Sequence, residues 1–303
     1  MKNPPLLIFG CGAMACFFAA RLVSCGIETV LTDEWTEGLR VIQKKGITLE
    51  TKNQNNTYPI KILIPDEKSG FFKHALVLLK SWQTGWAAES LSQRLEPDGC
   101  VLTLQNGLGN DSALKKLWNE NKVLSGITTL GATQLSPGFI RAFEDGSISL
   151  ENKPASEEFM NLFLQAGLPC KIEKDIESLV WGKLLINAVI NPLTALMDQP
   201  NGWLMENPQA DEMMEPVIQE ITNLTNHLGI SLPFDDPLSE IKKVSKNTSP
   251  NSSSMLQDLR RQAPTEIDQI NGAIARLGIK NGIPTPVNQT LTSLVKLKLQ
   301  SIK

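Results

Sequence analysis

The sequence predicts an α/β protein whose N-terminal half is a doubly wound, mostly parallel sheet and whose C-terminal half is all helical. Three observations predict it. A glycine turn, Gly10-Cys11-Gly12, separates an apolar run from a helical pattern. Strand-like runs then alternate with helical or polar stretches as far as about Ile176, the pattern of a parallel sheet with helices on both faces. Beyond Ile176 the period becomes that of long helices with few β-branched clusters. We expect a dinucleotide-binding domain over residues 1–176 and a helical substrate domain over 177–303, since 303 residues at 41% hydrophobic suffice for two cores.

The first element is the stretch "LLIFGCGAMACFFAA", which has two incompatible readings. A secretory signal needs a basic leader and a small-x-small cleavage site after an unbroken apolar run. Here Lys2 is the only early positive charge, Gly10 and Gly12 break the run, and the pattern continues through Arg21, Leu22 and Val23 as a helix does. The better reading is a buried strand from Leu6 to Phe9, a tight turn, and a helix from Ala13 to near Gly26. That is the Rossmann-type fingerprint in its G-x-G-x-x-A form. Gly10 permits the turn, Gly12 lets backbone N–H groups approach a pyrophosphate at the positive end of the helix, and Ala15 stands in for the third glycine.

A second strand follows from Glu28 to Thr32, ending at Asp33, and then a helix from Glu37 to Lys45 closed by Gly46. Further strands are expected in "YPIKILI", "HALVLLK", "CVLTLQN" and "KVLSGIT". In "FIRAFEDGSISLE", Asp145-Gly146 between two alternating runs signals a hairpin, an antiparallel addition to the sheet edge. The strand "PCKIEKD" ends this half. The helical half is interrupted at "DQPNGW" and at "KNTSPNSSS", a Ser/Asn-rich segment expected to be mobile.

Composition excludes several classes. A net charge of −3 with scattered Lys and Arg lacks the footprint of a nucleic-acid binder. No run of apolar residues is long and unbroken enough for a membrane span. Cys11, Cys16, Cys25, Cys100 and Cys170 form no C-x-x-C pair, and an odd count in a chain of this size points to reduced thiols in the cytoplasm. His74 and His227 are the only histidines and neither has metal-ligand spacing, so no metal is expected.

Candidate chemistry lies in three places. In "VWGKLLINAVINPLTAL", Lys183, Asn187 and Asn191 recur every four residues, placing an amine and two amides on one stripe of an apolar helix. A solvent-facing edge would give the same spacing, but the apolar flanks leave little exposed surface. Pro192 removes an N–H and is expected to kink the helix just after Asn191. Second, "LLKSWQ" and "TLQNGLGN" put Lys80, Gln83, Gln105 and Asn106 at carboxyl ends of strands, where open α/β sheets bind ligands; a lysine there is also an ordinary loop residue. Third, "SSSMLQDLRRQAPTEIDQING" offers Ser254 and Glu266. Thr265 with Asp268 looks like a helix-capping pair, which would leave Glu266 only complementing a helix dipole.

The combination of GCGAMA, LLKSWQ, QNG, the stripe before Pro192, and SSMLQD followed by TEIDQING resembles the ketopantoate reductase family, in order along nearly the whole chain. The resemblance implies a nicotinamide-dependent reduction of the ketone of ketopantoate to pantoate, on the way to pantothenate and coenzyme A. Lys183 would be the general acid, a charged donor at neutral pH by its reference pKa of about 10.4. Glu266 would orient the amines and balance charge. Asn187 and Asn191 would hold substrate hydroxyls, Ser254 and Asn106 the carboxylate, in a pocket between the domains. The cofactor would contact Gly10, Cys11, Gly12, Ala13, Met14, Ala15, Asp33, Lys80, Gln83, Asn106 and Glu266.

The chain departs from this family at the end of the second strand. Ketopantoate reductases usually carry an arginine there for the 2′-phosphate of NADPH; here the residues are Thr32-Asp33-Glu34-Trp35, with Arg40 the nearest base. Family resemblance implies NADP(H), whereas a carboxylate that accepts from a ribose diol favours NAD(H). Two other readings share parts of the pattern: a related two-domain dehydrogenase for another 2-oxo or 3-hydroxy acid, and a catalytically silent dinucleotide-binding redox sensor. Retention of Lys183, Asn187, Ser254 and Glu266 together speaks against the second. The partner expected is a small 2-oxo acid. Oligomeric state is open, with a homodimer compatible.

Overall fold

A computed structural model describes residues 4–302 apart from 53, 66, 68, 69 and 144; Lys2 and Glu144, which entered the readings above, lie outside them. The N-terminal elements are β1 (Leu6–Phe9), α1 (Ala13–Ser24), β2 (Thr29–Thr32), α2 (Thr36–Lys45), β3 (Ile47–Glu50), β4 (Asn55–Tyr58), β5 (Lys61–Ile62) and β6 (Phe72–Val77). There follow α3 (Thr84–Arg94), β7 (Leu95–Thr103), α4 (Asn110–Lys115), β8 (Val123–Thr128), β9 (Gly131–Ser136), β10 (Phe139–Phe143), β11 (Ile148–Glu151), α5 (Ser156–Gln165) and β12 (Cys170–Glu173). The rest is helical: α6 (Ile176–Met197), α7 (Trp203–Glu206), α8 (Pro208–Leu228), α9 (Pro237–Asn247), α10 (Ser254–Arg260), α11 (Asn271–Asn281) and α12 (Pro286–Ser301).

The chain divides into two compact units. One takes everything up to Gln105 together with Asn110–Ile176; the other takes Asn106–Gly109 and the chain from Glu177 onward. In the first unit, an eight-stranded sheet runs β12-β11-β8-β7-β6-β1-β2-β5, parallel except where β11 meets β8. Alternation along β1 feeds both faces: Leu6 and Ile8 enter one apolar cluster, Leu7 and Phe9 another. Each fully buried side chain of this kind contributes about 1.5–3 kcal/mol. The order reverses between β1 and β6, which makes the carboxyl ends of those strands the crevice where such sheets take ligands.

Two expectations about this unit need correction. "YPIKILI" is not one strand, because Pro59 falls between β4 and β5, and proline supplies no N–H to a ladder. The Asp145-Gly146 hairpin does not form: β10 and β11 belong to different sheets, and β11 pairs with β8. A side chain on Gly146 would meet the Leu130 nitrogen at 2.6 Å, so this glycine serves close backbone approach. The reversal occurs earlier, at Pro137-Gly138, with Gly138 at φ +74°, and joins β9 to β10 in a second, four-stranded sheet ordered β4-β3-β10-β9.

The second unit is built around α6, which runs through Pro192 for 22 residues. It is long and apolar enough to cross a membrane by length and composition. Trp181, Leu184, Leu185, Ala188 and Val189 are instead buried in this unit's core together with Met214, Val217, Ile221 and Leu224 of α8. The Ser/Asn-rich segment expected to be mobile is tied down: the Asn201 and Gly202 amides donate to the Asn251 and Ser249 carbonyls at 2.9 and 3.1 Å.

Candidate active site

The glycine turn of the first unit has the requirements of a dinucleotide cradle. Gly10 adopts φ +129°, and a side chain on it would sit 3.2 Å from the Leu78 carbonyl beyond β6 and 3.1 Å from Ala15 Cβ. Only glycine fits that conformation and that approach, and the space it frees accommodates Ala15 at the third position of the fingerprint. A side chain on Gly12 would meet nothing within 4 Å. No side chain caps α1 and no acidic residue lies in its first turn. The amides of Ala13 and Met14 therefore face a site suited to a pyrophosphate.

Asp33, at the end of β2, is buried, with 5% of its surface exposed. Its Oδ2 accepts from the Cys11 amide at 2.7 Å, and its Oδ1 accepts from the Trp35 amide at 3.0 Å and from Gln83 Nε2 at 3.3 Å. Gln83 also reaches Glu34 Oε2 at 3.4 Å, so its amide links the segment after β6 to both carboxylates. A carboxylate offers about four acceptor positions, which leaves Asp33 capacity for a diol beside the turn. Lys80 lies three residues beyond β6 and precedes the short turn that carries Gln83. The Cys11 thiol is buried, and burial with the neighbouring Asp33 charge raises its pKa; its backbone serves the turn and its sulfur is held neutral.

The polar stripe of the second unit is where α6 departs from its own pattern. Lys183 and Asn187 are half-buried and Asn191 is buried. Among the described residues no side-chain hydrogen bond engages Asn187 or Asn191. Amides that are sheltered yet unspent are available to a ligand. Burial pushes the Lys183 ammonium down to about 8, and the Glu266 carboxylate partly offsets this. This amine is tuned, whereas the sequence led us to expect an ordinary lysine.

Glu266 does not begin a helix, contrary to the capping pattern of Thr265 and Asp268. It sits five residues before α11, in a turn whose Gln269 and Ile270 amides donate to the Glu266 carbonyl at 3.1 Å. The carboxylate is buried and accepts from Asn106 Nδ2 at 3.4 Å. Asn106 reaches it because the short segment after β7 packs with this unit: the Leu108 amide donates to the Gln269 carbonyl at 2.9 Å. Gly107, at φ +82°, lies so close that a side chain would meet the Gln269 oxygen at 2.4 Å. These contacts gather Asn106, Glu266 and Lys183. Ser254 is exposed at the first position of α10, while the preceding Ser253 caps that helix and accepts from Thr194 Oγ1 at 2.8 Å. Sequence reasoning missed Ser253, which couples α10 to α6, and also Gln134 of β9, whose amide donates to the Cys11 carbonyl at 3.4 Å. Neither carries a local motif.

A Rossmann-type unit and a helical unit with a tuned lysine define a two-domain oxidoreductase acting through a nicotinamide cofactor. Comparison with known proteins narrows the class. The family model for ketopantoate reductase PanE/ApbA matches residues 6–154, and that for its C-terminal region matches 175–299. The chain belongs to the ketopantoate reductase family. It is 32% identical to a 2-dehydropantoate 2-reductase of Archaeoglobus fulgidus over 98% of both chains. Among solved structures it is similar to a PanE/ApbA family ketopantoate reductase from Ralstonia eutropha (29% identity, TM-score 0.90, 98% and 99% of the two chains). It is also similar to D-mandelate dehydrogenase solved with NADH and anilino(oxo)acetate (26% identity, TM-score 0.94, 98% and 99%).

Proposed function

We propose that this protein reduces 2-dehydropantoate to pantoate with NADH, in the cytoplasm. The observation that carries the reading is the stripe of α6, where a lysine with a pKa of about 8 shares its surroundings with Glu266, and two amides are left unengaged. A bound reduced nicotinamide would supply the hydride to the ketone carbon. Lys183 Nζ donates a proton to the ketone oxygen as negative charge builds there, and solvent restores the proton to the amine. Until that moment the ammonium stabilises the charge electrostatically. Glu266 keeps the ammonium favourable in a buried setting. Asn187 and Asn191 bind the substrate hydroxyl by neutral hydrogen bonds, and Asn106 with Ser254 binds its carboxylate.

The cofactor would lie on Gly10, Gly12 and the first turn of α1, with its adenosine ribose at Asp33 and with Lys80 and Gln83 nearby. NADH is favoured over NADPH because a buried carboxylate bonded to the turn repels a 2′-phosphate and accepts from a 2′-hydroxyl. The five cysteines are all unpaired, in keeping with a reducing compartment. The test is a panel of 2-oxo acids, including aromatic ones because of the mandelate dehydrogenase similarity, assayed with both reduced nicotinamides by loss of absorbance. The expected result is the highest kcat/KM for ketopantoate with NADH. Preference for another 2-oxo acid by more than tenfold would reassign the substrate, and no turnover with any would refute the reading.

A further inference from the structure

A chain of buried polar groups in the second unit ends on the backbone of α6 between Asn187 and Asn191. It begins at Glu220 of α8, which is buried. Glu220 accepts from the Val287 and Asn288 amides at 2.7 and 3.0 Å and from Asn288 Nδ2 at 2.7 Å. No side chain caps the start of α12 locally, so a carboxylate from α8 satisfies amides of its first turn. With Nδ2 committed to Glu220, Asn288 presents its oxygen on the other side. Asn271 Nδ2 donates to that oxygen at 3.0 Å and to the Ala188 carbonyl at 2.9 Å. Both Asn271 and Asn288 have no exposed surface.

The Ala188 carbonyl is the acceptor that the residue four positions later would serve in an α-helix, and that residue is Pro192, which has no N–H. A buried carbonyl left alone there would cost about 1–3 kcal/mol. Asn271 supplies the missing donor. The acceptor-only carboxylate of Glu220 fixes which way Asn288 points, and Asn288 in turn fixes Asn271. Turning the Asn271 amide over would set its oxygen against two other oxygens. The polarity of the whole chain is thus set at one end and read at α6.

We propose that Asn271 is a positioning residue for the polar stripe: it completes the backbone that Pro192 leaves open and thereby fixes the placement of Asn187 and Asn191, one residue before and three after Ala188. The activity consequence rests on the proposed substrate role of those amides; the pairing itself does not. The experiment is a double-mutant cycle with N271L, P192A and the double variant, read by melting temperature, by KM and kcat for the 2-oxo acid, and by NADH affinity.

Replacing Pro192 restores an N–H for Ala188, so P192A should relieve the loss caused by N271L. We expect N271L to raise KM for the oxo acid by about tenfold with NADH affinity within about twofold, and the double variant to return to within about threefold of P192A alone. The melting temperatures should show the same non-additive rescue even if the wild-type protein proves inactive on every 2-oxo acid, which separates failure of the pairing from failure of the functional reading. If N271L does not fold, folding of the double variant supports the pairing and its failure overturns it. Additive effects in melting temperature, or an N271L enzyme with unchanged KM, would also overturn it.

Discussion

The general-acid role proposed for Lys183 predicts a pH profile that an ordinary lysine would not give. Its pKa is brought from the usual 10.5 to about 8, with burial as the larger influence and Glu266 acting in the opposite direction. At pH 7 roughly nine-tenths of the enzyme then carries the acid form, and at pH 9 roughly one-tenth does. The value of kcat/KM for reduction should be level below about pH 7.5 and fall roughly tenfold per unit above about pH 8.5. Alcohol oxidation by the same enzyme, which needs the neutral amine as base, should rise over the same interval.

The contribution of Lys183 itself to stability has the opposite sign to this limb. Between pH 8 and the unfolded value near 10.5 the unfolded chain binds more protons at this position than the folded one, so Lys183 makes the fold more stable as pH rises. Melting curves at pH 7 and pH 9 therefore separate lost catalysis from lost structure. Glu266→Gln removes the charge that raises this pKa and should move the midpoint below 8, in addition to any loss of rate. A midpoint above about 10 in the wild type, or one that does not move in Glu266→Gln, would refute the assignment of Lys183 as the tuned acid.

Lys183→Arg keeps a cation but cannot release its proton, so kcat should fall on the order of 10²- to 10⁴-fold while NADH affinity, measured by fluorescence titration, changes little. Gly107→Ala forces a side chain against the Gln269 carbonyl at a positive φ; the Asn106–Glu266 contact should be lost and KM for the oxo acid should rise at least tenfold, with unchanged KM refuting the role of that turn. Asp33→Asn removes a charge worth about 4 kcal/mol of repulsion per unit charge pair at ~4 Å and an effective dielectric of ~20, before relaxation. The ratio of kcat/KM for NADPH to that for NADH should increase at least tenfold, and a wild-type preference for NADPH above tenfold would refute the role of Asp33. Asn is the informative replacement because it retains an acceptor for the Cys11 amide, which Ala does not.

What the sequence made legible was local. Gly10, Gly12 and Ala15 announce a strand, a turn and a helix because their conformational demands involve neighbours within a few residues, and the period along β1 and β7 reports burial on two faces of one sheet. The second sheet was not legible. Its β3–β10 pairing joins Thr48 to Phe139, and no short-range signal encodes a parallel contact at that separation. The local signal was misleading as well: Asp145-Gly146 has hairpin chemistry, but its glycine is required for approach to the Thr129–Leu130 backbone, while Pro137-Gly138 makes the turn. The same competition explains Glu266. Thr265 and Asp268 have the composition of a helix start, yet the approach of Gly107 and Leu108 to Gln269 holds this segment as a turn, and the helix begins only at Asn271.

The candidate site was legible for a different reason. α6 satisfies a simple rule, apolar throughout and long, well enough to pass for a membrane span, and it breaks that rule at three positions four residues apart. A stripe of this kind on a surface helix would be unremarkable, because water would satisfy it. Here Lys183 and Asn187 are half-buried and Asn191 is buried, and among the described residues no side-chain hydrogen bond engages either amide. Asn187 and Asn191 keep their hydrogen-bonding capacity open, which is what the proposed substrate role requires. Asn271 and Asn288 differ from them: both are fully buried, Asn271 donates to the Ala188 carbonyl and to Asn288, and Asn288 donates to Glu220, so these two amides build the surroundings of the helix. Sequence spacing shows that a helix has a polar stripe; only the inventory of hydrogen bonds shows which of its amides the protein has already used.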